Sequence, residues 1–121
     1  MAESKSIDSD GEVREFPKGR VEVVTVGTCK LSRSTMEPGW RWSECVKPIA
    51  GTESCQVQHD GYSVSGALQV RQDDGSEVEI NPGDAYSIAP GHDAWVVGDE
   101  PWVGVDFSAA MAATYAKPAA H

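Results

Sequence analysis

The sequence predicts an all-β domain, a sandwich or barrel of short antiparallel strands. Three observations point there. Short β-branched or alternating runs recur, separated by turn residues about every eight to twelve positions. The turns are spelled largely by glycine and proline, 12 and 7 of them in 121 residues. Neither a helical crossover between strands nor a long internal repeat is present.

Residues 1–12, MAESKSIDSDGE, are polar and acidic with no recurring apolar position, and they read as a disordered segment. VEVVTVG (Val21 to Gly27) is a strand; apolar on both faces, it leaves an edge that a second copy would cover, which predicts a homodimer. CKLSRSTMEPG follows, with Leu31 and Met36 as inward residues and Pro38-Gly39 as a turn. In WRWSECV an extended strand would put Trp40, Trp42 and Glu44 on one face and Arg41, Ser43 and Cys45 on the other. A loop carrying Gly51 leads to a short extended segment from Cys55 to His59. Tyr62 opens the next strand, Gly66 marks a bend, and Leu68 and Val70 alternate with polar residues up to Asp74-Gly75, a hairpin signal. The remaining strands are VEI, AYSIA, AWVV and WVGVDF, divided by NPGD, APGHD and GDEP. The folded domain is therefore expected over 13–108. The tail, 109–121, is alanine-rich, and the four-residue spacing of Met111 and Tyr115 allows one short C-terminal helix ending before Pro118.

Charge narrows the partners. With 19 acids against 10 bases the formal charge is -9, which repels phosphate backbones and anionic bilayers, so neither nucleic acid nor a membrane is an expected partner. No apolar run approaches the roughly 20 residues of a membrane span. Three cysteines, an odd number, without a secretory leader read as free thiols in a cytoplasmic protein.

At GALQVRQDDG, then NPGD, then APGH, the chain resembles the cupin pattern, and the resemblance extends roughly from Val21 to Phe107. More narrowly, Pro38 to Asp106 is similar to a group of small single-domain cupins of unassigned function that carry GWRWSEHVKPIAGT-type and PPGHDAWVVGDEP-type segments. The resemblance implies a conical β-barrel (a double-stranded β-helix or jelly roll), a divalent metal held by histidines, and a small-molecule ligand in the barrel. It also implies frequent homodimers. Residue by residue, the chain departs from the common ligand pattern. Cys45 follows Gly39 after five residues, where a histidine is usual. Lys47 takes the second histidine position, His59 the glutamate position, and His92 stands two residues before the usual last histidine. The implied metal set is Cys45, His59 and His92.

Thiolate and imidazole suit zinc or iron first and nickel or manganese second, and three protein ligands leave a position open. If the site is degenerate, no metal is held. The plainer alternatives are a core cysteine and two turn histidines. Cys55, four residues before His59, shares its side in an extended segment and reads as a buried thiol with ligation as the alternative. A Cys45–Cys55 disulfide would cross the loop, but a reducing compartment disfavours it; Cys29 reads as core. Arg41, on the face of Cys45, would clamp a carboxylate; Tyr62 and Tyr86 would offer hydroxyls to the cavity. Asp93 would orient His92 or cap its turn. Most of the four tryptophans pack the core or line the cavity. The expected function is a small metal-dependent cupin enzyme of the oxygenase, isomerase or lyase class acting on a small organic molecule. The alternative is a non-catalytic ligand-binding or sensory cupin, free of metal.

Overall fold

Alternating apolar residues and glycine corners build two antiparallel sheets that face each other. The computed structural model describes residues 2–107 and the backbone of Lys117–Pro118. The strands are β1 (Glu12–Phe16), β2 (Gly19–Val26), β3 (Cys29–Met36), β4 (His59–Ser65), β5 (Ala67–Gln72), β6 (Glu77–Ile80), β7 (Ala85–Ile88), β8 (His92–Val97), β9 (Trp102–Asp106) and β10 (Lys117–Pro118). Three short helices interrupt them: α1 (Ile7–Asp10), α2 (Trp42–Cys45) and α3 (Lys47–Ala50). The larger sheet runs β10-β1-β2-β3-β9-β4-β7 and the smaller one β6-β5-β8. The all-β expectation holds at this level: two antiparallel sheets in cupin-like order, though the strands do not close into one continuous ladder. No helix among the described residues is long and apolar enough to cross a membrane.

Alternation decides which residues meet. In β9, Trp102, Gly104 and Asp106 point inward; in β4, His59, Gly61 and Ser63 do; in β8, His92, Ala94 and Val96 do. The core between the sheets is completed by Val21, Met36, Leu68, Val70, Ile80, Tyr86 and Ile88, all buried. The chain crosses from the larger sheet to the smaller at Gly66, whose φ of 74° lies in the left-handed region. A Cβ there would run into the carbonyl oxygen of Pro101. Gly66→Ala is accordingly expected to lower stability by about 2 kcal/mol or more, read as a lower denaturation midpoint at unchanged m-value. A change below roughly 0.5 kcal/mol would show that the corner is free to adjust.

Several expectations are corrected. Residues 7–10 form α1 inside the segment expected to be disordered, because Ser6 Oγ accepts a hydrogen bond from the Asp8 amide at 3.2 Å and Asp8 pairs with Arg33. The VEVVTV strand is not an edge: β2 lies between β1 and β3, so the chain itself fills the place assigned to a second copy. Cys29 is exposed rather than in the core, and all three cysteines are free thiols. The tail helix around Met111 and Tyr115 lies outside the described residues.

The largest departure is WRWSECV. Arg41 makes a single bridge to Trp95, and then the chain turns into α2 and α3 instead of continuing as a strand. In the helix, Trp42, Cys45 and Val46 fall at i, i+3 and i+4 and are all buried, whereas Glu44 is exposed. Burying a side chain such as Val46 stabilises by about 1.5 kcal/mol or more, which outweighs the modest gain of strand alternation. The helix start is held from a distance: Asp93 Oδ1, on β8, accepts from the Ser43 amide at 3.0 Å. Gly51, at φ 73°, ends α3.

Candidate metal centre

Three buried donors converge between the sheets: Cys55 Sγ and one ring nitrogen each from His59 and His92, all within 4.8 Å of one another. Backbone pairing places two of them. Cys55 and His92 form an isolated antiparallel bridge in which the Cys55 amide donates to the His92 carbonyl at 2.8 Å. His59 follows four residues later as the first residue of β4, with Nε2 at 3.7 Å from Cys55 Sγ. Around a tetrahedral zinc the sulfur and nitrogen ligands stand ~3.5 Å apart, so this spacing suits a shared ion as it stands.

The second nitrogens are anchored. His59 Nδ1 donates to Asp106 Oδ2 at 2.9 Å, and His92 Nδ1 donates to the Ala89 carbonyl at 2.8 Å. With Nδ1–H committed in both rings, each neutral imidazole keeps its lone pair on Nε2, and the ring orientation is set. The rings meet edge to face with centroids 5.3 Å apart. Tyr86 donates its hydroxyl proton to Asp106 Oδ1, so this carboxylate serves two partners. The turn that carries His92 is pinned as well: Ser54 Oγ donates to Asp73 at 2.8 Å, and the Asp73 amide donates to the Gly91 carbonyl at 2.8 Å.

The protonation pattern follows from these contacts. Burial is the strongest single influence on His59 and opposes its charge. Hydrogen bonds to Asp106 and Cys55, with their charges, more than offset it and raise His59 to about 9. Burial likewise pushes the Cys55 thiol up. Hydrogen bonds from His59 and His92, the charge of His92 and the Val57 backbone reverse this and bring it down to about 6. Burial, then the Asp106 charge, pushes Tyr86 far above the ordinary phenol range, so it keeps its proton. Asp106→Asn removes the charge but not the shape. His59 is then expected to titrate at least about one unit lower, as followed by imidazole NMR shifts. An unmoved titration would mean that Asp106 does not set the charge of His59.

Beside the donors lies a cavity of about 40 Å³. Its sheet walls come from Ser34 and Met36 of β3, Leu68 of β5, Tyr86 and Ile88 of β7, Ala94 of β8 and Trp102 of β9, with His59, His92 and Asp106. Trp40 and Trp42 supply the wall that is not sheet. All twelve lining residues are buried, and no Lys or Arg lines the space.

The structure brings together His59, His92 and Tyr86, three of the site candidates read from the sequence. It does not unite the others. Cys45 packs in the apolar core on α2 and is no member of the donor cluster; Cys55 occupies that role among the described residues. The helix is the reason, because it turns the Cys45 side chain to the face of Trp42. Tyr62 lies on the outer face of β4 and is 47% exposed, an odd number of residues from His59. Arg41 is outside the cavity: its guanidinium stacks 4.4 Å from the Trp95 ring and its Nε contacts Asp93 at 3.2 Å. Asp93 orients α2 and Arg41, not His92. The carboxylate that orients a histidine of the donor cluster is Asp106, which was not among the residues singled out from the sequence. Its signal was an acid at inward parity in the apolar strand WVGVD, where an acid is buried only with a partner.

The fold resembles that of solved cupin, or double-stranded β-helix, structures. The RmlC-like cupin from Shewanella frigidimarina superposes with a TM-score of 0.58 at 16% identity, covering 98% of this chain and 93% of the other. A conserved Klebsiella pneumoniae protein with a double-stranded β-helix domain gives 0.56 at 21% identity over 98% and 91% of the two chains. KdgF from Halomonas sp. gives 0.56 at 18% identity over 88% and 90%. No family model and no curated protein matches the sequence.

Proposed function

We propose that this protein is a small metal-dependent cupin enzyme that acts on a small organic molecule in the cavity between its sheets, with the metal held by Cys55, His59 and His92. The convergence of three buried donors whose outer nitrogens are already committed carries this reading. One thiolate with two imidazoles is a donor set for zinc or iron(II); the harder manganese ion matches it less well. Bound there, the ion would act as a Lewis acid toward an oxygen of the substrate, chemistry shared by isomerases, lyases and oxygenases.

The protein's own groups divide the work. Asp106 fixes the His59 ring, and Tyr86 stays a proton donor to Asp106. The tryptophan and aliphatic walls exclude water, which strengthens every polar contact inside. Cys55, His59 and Asp106 also have the order of a nucleophilic triad. Cys55, however, is completely buried and does not line the cavity, so a substrate meets the two histidines and not the thiol. That favours a ligand over a nucleophile.

The test is elemental analysis of the full chain purified without a chelating tag, followed by activity screening of the loaded protein. About one zinc or iron per chain is expected. Absence of metal after supplementation with each candidate ion would sink the metal-dependent reading. Stoichiometric metal without turnover would leave a ligand-binding cupin. The homodimer expected from the sequence is checked by the mass in solution.

A further inference from the structure

We propose that the ligand of this cavity is a small neutral molecule bearing one oxygen, and that Ser34 positions it. The inference deepens the preceding reading and rests on it for the cavity being the ligand site.

Size comes first. A space of about 40 Å³ has room for roughly three waters, hence a ligand on the order of three to five non-hydrogen atoms. Charge comes next. An anion in this space meets the Asp106 carboxylate and no Lys or Arg among the lining residues, and the His59 ring on the same wall is already bonded to Asp106 and Cys55. Arg41 is committed to Asp93 and Trp95 outside the cavity.

Polar complementarity supplies the oxygen. Ser34 is 3% exposed, lines the cavity, and its hydroxyl has no hydrogen-bond partner among the described residues. A ligand oxygen would give that hydroxyl the partner it lacks, because the hydroxyl both donates and accepts. Ser34 stands opposite Gly104 on β9, and the Trp102 ring lies against that glycine. Trp40 adds a second unpartnered donor, Nε1, on the same wall. The remaining walls are apolar. Together they suit a short ketone, amide, aldehyde or alcohol and not a carboxylate or phosphate.

Acetamide and acetate share a shape and differ in charge, and they serve as the probes. Both are titrated into the full chain, metal-loaded and metal-stripped, with the fluorescence of the cavity tryptophans as the readout and metal content measured in parallel. Acetamide is expected to bind at least about tenfold more tightly than acetate. Ser34→Ala is expected to weaken acetamide about five- to thirtyfold at unchanged metal content. Acetate binding equal to or tighter than acetamide, or no acetamide binding at any attainable concentration, overturns the neutral class. An unchanged acetamide affinity in Ser34→Ala overturns the role of Ser34. A chain that takes up no metal refutes the metal-centre reading separately, since the fluorescence titration decides ligand class and Ser34 without metal.

Discussion

Cys55→Ala is expected to lower metal affinity by about a thousandfold or more, while Cys45→Ala leaves it within about threefold. The two thiols are both buried, yet only Cys55 sits with His59 and His92. Removing a thiolate from a three-ligand site leaves two imidazoles, and the softest and only anionic donor is gone. Cys45→Ala costs packing alone, about 1 kcal/mol for a small buried side chain, without touching a donor. Chelator competition on both variants, with circular dichroism to confirm folding, separates them. Loss of metal in Cys45→Ala with retention in Cys55→Ala would reverse the assignment of the site.

The second large effect is a pH dependence that appears in metal binding and not in stability. In the metal-free protein His59 is raised to about 9 and Cys55 lowered to about 6. For stability the signs oppose. The His59 contribution is fully present below its unfolded value of 6.5 and is lost as pH rises through about 9. The Cys55 contribution is present above its unfolded value of 9.0 and is lost as pH falls through about 6. Folding moves one proton from the thiol to the imidazole, so the pair leaves metal-free stability nearly flat across this window. Metal binding is different, because the His59 proton must leave. Apparent affinity is expected to rise about tenfold per pH unit from pH 6 to pH 9, more steeply below, and to level off above. Calorimetry in buffers of different ionisation enthalpy should show about one proton released near pH 7.5. A flat affinity profile across that range would mean that His59 is not protonated in the metal-free state, or is not a ligand.

How far the sequence foretold this can be judged from particular residues. The strands, their turns and the inward pair His59 and His92 were legible, because period-two alternation and glycine corners are local signals. The same parity, applied strictly, would have put Tyr62 opposite His59 and Asp106 beside Trp102 on the inner face. It would also have kept Cys55 with His59, as its four-residue spacing indicated. The error at Cys45 has another origin. Trp42, Cys45 and Val46 also fit a helical face whose burial favours the helix, and Asp93, a side chain fifty positions away, holds the helix start at the Ser43 amide. Such support is invisible to a local reading. Arg41 failed for the same reason, since its partners Asp93 and Trp95 come from a distant strand.

The outer side of β8 has a consequence for how the molecule breathes. There the sheet does not continue as a ladder; it is met by isolated bridges, Arg41 with Trp95 and Cys55 with His92. Local opening requires less free energy where fewer hydrogen bonds break together, so this seam opens more readily than the laddered parts of the sheets. Cys55 and His92, the residues of one bridge, are also two of the three proposed metal donors. An ion held between them would staple the seam, making the same two side chains both the anchor of the chemistry and the lock on the chamber.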